Sequence, residues 1–326
     1  MVTSSYKTFT GGSGASRGKA RLAAAGENVA GWLFVLPALL PLLAFWVVPV
    51  FYSLFISFTD WDLISKKFNF VLIKNYTSLF RDLKFFKILT NTLIFALGST
   101  GSVILLGFLT ALLFSGTRGG VRSRDLKGRG FSSVTDIFRI LIFSPYITPM
   151  IAVSIVWSWI FEPRVGVLNF ILSLFHIPAL KWTQSMDTAM LSVIIVTVWK
   201  QLGWAMIFYI EAINRVPNSL LEAAIIDGAG FMKRLVHITL PMVSPTTYFL
   251  VIISTIISLQ AYDQILVLTN GGPAGATRTL LYYYYQEAFN NFSAGKASAV
   301  AVIIVLITVL LSASETMLSK RATHYG

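Results

Sequence analysis

Apolar residues in this chain gather into long runs separated by short charged segments. Asn28 to Thr59 carries no charge, and the first span is expected from about Trp32 to Phe58. Ile88 to Thr117 is the second uncharged run, and Ile140 to Phe161 is the third, with Trp157 and Trp159 as aromatic anchors. The fourth, Thr188 to Ile213, contains only Lys200 and Glu211 as charges. Met242 to Leu266 and Ala297 to Ser314 complete the set. A helix crossing roughly 30 Å of hydrocarbon needs about 20 residues that do not resist desolvation, and each run meets or approaches that length. The pattern predicts an all-α, polytopic membrane protein with six transmembrane helices. Pro37, Pro41 and Pro49 fall in the first span, where neighbouring helices can satisfy the carbonyls they free.

Composition agrees. Of 326 residues 55% are hydrophobic and 12% charged, with mean hydropathy +0.72, and a soluble domain carries about twice that charged fraction. The net charge of +12 does not point to nucleic acid, because the basic residues lie between apolar runs without the interleaved aromatics of a nucleic-acid groove. With the N-terminus in the cytoplasm, Arg17, Lys19, Arg21 and the cluster from Arg118 to Arg139 fall inside, as do Lys233, Arg234, Lys320 and Arg321. The first outer loop is itself basic, so the margin is modest, but it favours both termini inside. Residues 1–30 read as a disordered cytoplasmic tail rich in Gly, Ser and Ala, and the run that follows is too long for a signal-peptide core. The chain divides into that tail, a first helix with its external loop (31–87), a five-helix core (88–318) and a short cytoplasmic tail (319–326).

Chemistry is restricted by what is missing. There is no cysteine, and His176, His237 and His324 lie in different segments, so no metal site is expected. Neither GxSxG nor HExxH occurs, and the nearest approach to a phosphate loop, Ser13 to Ala20, lacks its first Gly and its final Ser/Thr. No catalytic residue and no bound cofactor is expected. An ion-driven carrier would normally show duplicated halves, and no internal repeat is present.

The stretch between the fourth and fifth runs is the informative one. Pro217, Asn218 and Ser219 can start a short helix, which places Glu222 in or just beyond its first turn. Ala223 and Ala224 are small enough to admit a close neighbour, Gly228 permits a reversal with positive φ, and Pro241 suits the start of the next span. Glu222-Ala223-Ala224, Gly228 after three more residues, then Ile238 and Leu240-Pro241, resembles the EAA signature of the binding-protein-dependent inner-membrane components of ABC importers. VWKQ, ITLPMVSP, YDQILVLTNGGP and YYYYQEAF are similar to its carbohydrate-uptake branch, which includes disaccharide, oligosaccharide and glycerol-phosphate permeases.

That resemblance covers roughly residues 32–318 and implies the type I importer permease fold in the bacterial inner membrane. It makes 217–240 the coupling helix, with Glu222, Ala223, Ala224, Asp227, Gly228 and Pro241 in the segment that docks on an ATP-binding subunit. ATP and magnesium would then belong to that partner, a dimer of ATP-binding subunits. A second homologous permease, an extracytoplasmic solute-binding protein and a carbohydrate cargo, or glycerol phosphate as the alternative, complete the implied set. For the pathway, Lys200, Gln201, Trp204 and Tyr209 on the fourth span and Gln260, Tyr262 and Asp263 on the fifth offer ring faces and hydrogen-bonding groups suited to sugar. Ordinary interhelical packing is the competing role for each. The Asn270-Gly271-Gly272-Pro273 turn resembles the family's outer loop. The basic loop from Thr117 to Ser133 is longer than usual for the group.

Overall fold

The computed structural model describes residues 32–65, 67–115, 117–118, 121–122 and 134–322. The N-terminal tail, most of the basic loop and residues 323–326 lie outside the described residues. Contacts divide the chain into two units, residues 1–55 and 56–326.

The described part of the first unit is one helix, α1 (Trp32–Ile56). Its prolines are absorbed without a break. A π-turn over Leu43–Val47, closed by the Val48 N–H on the Leu43 carbonyl, precedes Pro49. The wider turn makes room for a proline ring that cannot donate to the preceding turn.

The second unit starts with α2 (Lys74–Arg81) and α3 (Leu83–Phe114). Asp82 caps α3 by accepting the Lys84 N–H at 2.9 Å. The loop before α2 is ordered by Asp60, which accepts the Asn69 backbone N–H at 2.6 Å and its amide at 3.2 Å. Those two bonds hold the Asp60 carboxyl below the ordinary carboxylate range. Two-residue strands, β1 (Thr117–Arg118) and β2 (Val121–Arg122), pair antiparallel after α3, in an otherwise helical chain. Then come α4 (Val134–Ile147), α5 (Met150–Ile160), α6 (Val167–Leu174), α7 (Ala189–Asn214) and α8 (Asn218–Ile226). The remainder is α9 (Phe231–Leu259), α10 (Asp263–Leu268), α11 (Leu280–Tyr285, continued by a π-turn over Gln286–Asn290) and α12 (Ala294–Ala322). Among the described residues five helices are long and apolar enough to cross a bilayer, and the pair α4–α5 supplies a sixth crossing if counted as one broken span.

Three expectations change. The third span is not one rod: α4 and α5 meet at 107° across Thr148 and Pro149. Pro149 has no N–H to continue the ladder, and it biases Thr148 away from helical ψ. The helix of the fifth span stops at Leu259 instead of Leu266, and the apolar stretch beyond it continues, after a break over residues 260–262, as the short α10. That break is held by the buried Thr279 hydroxyl, which donates to the Ala261 carbonyl at 3.0 Å. Finally, the fifth span begins before Met242: Pro241 stands in the first turn of the α-helical segment Leu240–Leu259, as its place suggested, and a π-turn over Leu235–Thr239 joins that segment to Phe231–Arg234 in one helix.

The centre of the unit is the pair α3 and α7, which run in the same direction. Phe95 packs with Val193 and Val196 near their beginnings, Gly107 lies against Ala205 midway, and Phe108 meets Tyr209 edge-on at 5.3 Å beyond it. Close approach of backbones is what small residues permit in lipid, where water supplies no driving force between helices. Ser99 and Ser258 hydroxyls at 2.8 Å join α3 to α9, and Thr255 donates to Glu315 Oε1 on α12 at 2.9 Å. Such interhelical bonds are worth about 0.6 kcal/mol each in bilayers. At the far end of α3, Arg139 donates to the Phe114 carbonyl and pairs with Asp136 at 3.0 Å, closing a helix C-terminus with a cation.

A close helix crossing lies at Gly203, where a Cβ would fall on the backbone of Ile142 and Phe143 in α4. Gly203→Val should therefore destabilise the detergent-solubilised protein by about 1–3 kcal/mol, read as a lowered thermal midpoint. Gly101→Ala, where an added Cβ meets nothing within 4 Å, should leave that midpoint unchanged or raise it.

Candidate functional site

Two regions carry the residues that the sequence singles out. The first is the segment between α7 and α9. α8 begins after Pro217 without a side-chain cap, and Glu222 lies just past its first turn, exposed. Leu221 and Val216 are buried and root the helix. Its end is a full Schellman closure: the Gly228 N–H donates to the Ile225 carbonyl at 3.0 Å and the Ala229 N–H to the Ala224 carbonyl at 2.8 Å. Gly228 sits at φ +77° to make this possible. Arg234 then donates to the Ala229 carbonyl at 3.1 Å, tying the start of α9 back to the turn. Ala223, Asp227 and Gly228 are exposed with Glu222, Ala224 is half-buried, and Ile226 stands 86% exposed beside them. Pro241 is exposed too, but it belongs to the α9 shaft and not to this turn.

The second region is a cavity of about 560 Å³ between α7, the α4–α5 bend and the α9–α10 break. Lys200, Gln201, Gln260, Tyr262 and Asp263 all line it. Lys200 owes its place to the broken span. Tyr146 ends α4 with a carbonyl that the broken ladder cannot satisfy, and Lys200 Nζ donates to it at 2.8 Å while lying 5.3 Å from the Tyr146 ring centre. Gln201 is buried, and its Oε1 has no partner among the described residues. The Tyr262 ring lies 4.8 Å from that of Tyr285 and 6.3 Å from that of Tyr282, building an aromatic wall. Gln264 donates to Thr197 Oγ1 at 3.4 Å across the floor.

Trp204 and Tyr209 are not among the lining residues. Trp204 shares a face with Lys200 but sits a turn farther on, where it stacks on Tyr146 at 6.1 Å and 15° and reaches Phe208 and Phe249. Tyr209 is rotated about 120° from Thr197 on an ideal helix. It is buried against Phe108, with its hydroxyl donating to Thr247 at 3.1 Å. Glu211 forms an exposed pair with Arg215 at 3.1 Å. Tyr146, Met150, Thr197 and Gln264 line the cavity without having been singled out. Thr197 was recoverable, since it stands one turn before Gln201. Tyr146 was not, because its position depends on the bend.

Comparison with known proteins places these features. Residues 128–324 match the family described as binding-protein-dependent transport system inner membrane component. The probable ABC transporter permease YurN of Bacillus subtilis is 31% identical over 251 residues, covering 76% of this chain and 82% of that one. The trehalose/maltose permease MalF of Thermococcus litoralis is 31% identical over 255 residues (78% and 81%). The sn-glycerol-3-phosphate permease UgpA of Agrobacterium fabrum is 30% identical over 301 residues (90% and 96%). A chain of a bacterial alginate ABC transporter, solved with its alginate-loaded periplasmic protein, superposes with TM-score 0.77 at 20% identity, covering 93% of this chain and 98% of that one.

The Schellman turn supplies a test of the first region. Gly228→Val should add about 1–2 kcal/mol of left-handed strain and speed amide exchange of residues 224–230 roughly tenfold, whereas Gly228→Asn should remain close to native. Exchange rates in both variants check this. With the signature segment, the relatives and the superposition in agreement, the chain belongs to the binding-protein-dependent inner-membrane component family and is a permease of the ABC importer type.

Proposed function

We propose that the protein moves a carbohydrate across the bacterial inner membrane by alternating access, with the 560 Å³ cavity as the cargo site. One observation carries this reading: five polar or aromatic side chains from separate elements converge there, and Gln201 Oε1 is buried without a partner. A sugar hydroxyl can donate to that oxygen, while Tyr262 offers a stacking face and Asp263 and Gln260 offer further polar groups. Relatives named for trehalose/maltose and for glycerol phosphate leave the cargo's class between neutral sugars and small polar solutes. The lining sets one cation, Lys200, against one carboxylate, Asp263, among amides and aromatic rings, which supports sugar over a phosphorylated solute.

The exposed turn after α8 is read as the docking point for an ATP-binding subunit, with Glu222 the polar contact and Ala223, Ala224, Asp227 and Gly228 the close-fitting surface. ATP hydrolysis then takes place on that separate subunit, with its magnesium, and this chain binds no cofactor. Docking can drive transport only if the subunit binds the inward and outward states with different free energies. α3 and α7 run parallel, and the turn follows α7, so this end is assigned to the cytoplasm together with both termini. A second homologous permease and an extracytoplasmic solute-binding protein complete the assembly.

Glu222→Lys should leave the protein in the membrane but abolish stimulated ATP hydrolysis of the assembled complex; normal stimulation would remove the docking role. Gln201→Leu should reduce uptake of the matching sugar by about tenfold, the value of one hydrogen bond to a buried acceptor. An unchanged rate across a panel of sugars and glycerol phosphate would remove the cargo role.

A further inference from the structure

A second pocket, of about 490 Å³, opens at the end of the unit opposite the Glu222 turn. The start of α3 and the loop between α10 and α11 form its walls, and Lys84, Lys87, Arg278 and Asn270 line it together with Gly271 and Gly275. Its chemistry is one-sided. Three cations converge, none of them forms an ion pair among the described residues, and no carboxylate lines the pocket. Asp82, two residues before Lys84, is engaged in capping α3.

Acceptors of the loop are already taken. Lys87 Nζ reaches the Ala274 carbonyl at 3.4 Å, and Asn91 Nδ2 donates to the Gly275 and Arg278 carbonyls at 2.9 and 3.2 Å. Donors are left over: Arg278 Nε is buried with no partner, and a lysine with one long bond keeps other N–H groups free. An unmatched buried donor such as Arg278 Nε, beside the exposed Lys84 and Lys87, is unfavourable unless an anion meets it. Residues 269–279 fix the geometry. Asn270, Gly271, Ala274 and Gly275 all have positive φ, Thr277 Oγ1 donates to the Gly272 carbonyl at 2.9 Å, and the Tyr282 hydroxyl donates to Asn270 Oδ1 at 2.7 Å.

We propose that this pocket is an oxyanion site that binds a phosphate group, held by Lys84, Lys87 and Arg278. Guanidinium and ammonium groups around one cavity are the arrangement that phosphate oxygens match. The site is separate from the cargo cavity and does not depend on the transport reading. A soluble phosphate compound and a phospholipid headgroup present the same chemistry, and the test separates them.

The full chain in zwitterionic detergent is titrated with inorganic phosphate at constant ionic strength, and binding is followed by phosphorus NMR line broadening. Saturable broadening is expected, about tenfold weaker in Lys87→Gln and in Arg278→Gln, and unchanged in Lys181→Gln, which removes an exposed charge elsewhere. Lys87 is exposed, so its variant reports even if loss of Arg278 impairs folding. Phospholipid that co-purifies with the wild type, is displaced by phosphate and is lost from Lys87→Gln would assign the occupant to a headgroup. Phosphate binding with no such lipid would assign it to a soluble compound. Broadening that does not saturate, or is equal in wild type and both pocket variants, would overturn the proposal, as would binding of polyglutamate but not phosphate.

Discussion

Backbone satisfaction in an apolar solvent is the constraint on which this architecture rests. A carbonyl released in hydrocarbon has no water to turn to, and leaving it bare costs several kcal/mol. The chain releases carbonyls at the α4–α5 bend and at the α9–α10 break, and at both places one is met from a distant part of the sequence. Lys200 reaches the Tyr146 carbonyl and Thr279 reaches the Ala261 carbonyl. These irregular places also form the cavity walls, because a broken helix ladder is tolerated at membrane depth only where protein or a wet cavity surrounds it. The break that opens the polar cavity and the bond that makes the break tolerable are therefore one arrangement.

Lys200 shows how one side chain can serve both ends. Its stem crosses from α7 to α4, its ammonium completes the helix terminus, and the same ammonium lies over the Tyr146 ring. Tyr146 in turn stacks on Trp204. A residue singled out as a charge in a span is thus a structural tie as well as part of the lining, and the aromatic residues near it hold the tie in place.

Much of the span pattern was legible because hydrocarbon rejects charge: the ends of charge-poor runs such as Thr188 to Ile213 fall near the ends of α7. Hydropathy could not see backbone direction. Ile140 to Phe161 reads as one run, yet Thr148 and Pro149 turn it through 107°, and Met242 to Leu266 continues apolar through a helix break after Leu259. Periodicity explains the two pathway residues that fell elsewhere. Tyr209 is out of phase with Thr197, and Trp204 is in phase but covered. Tyr146 and Gln264 join the cavity only through tertiary placement, which no local pattern encodes. The Glu222 turn was the most legible part, since Gly228 and its neighbours build their geometry locally.

α9 runs unbroken from the Gly230 side of that turn to Gln260 at the cavity, 29 residues or about 43 Å of helix. A stiff shaft of that length magnifies small rotations: pivoting it by about 10° sweeps one tip through roughly 7 Å relative to the other. Arg234 clamps the lower tip to the turn, and the π-turn over Leu235–Thr239 is the shaft's softer collar. Torque applied at the exposed knuckle would arrive at the cavity floor as a displacement comparable to the width of a sugar ring.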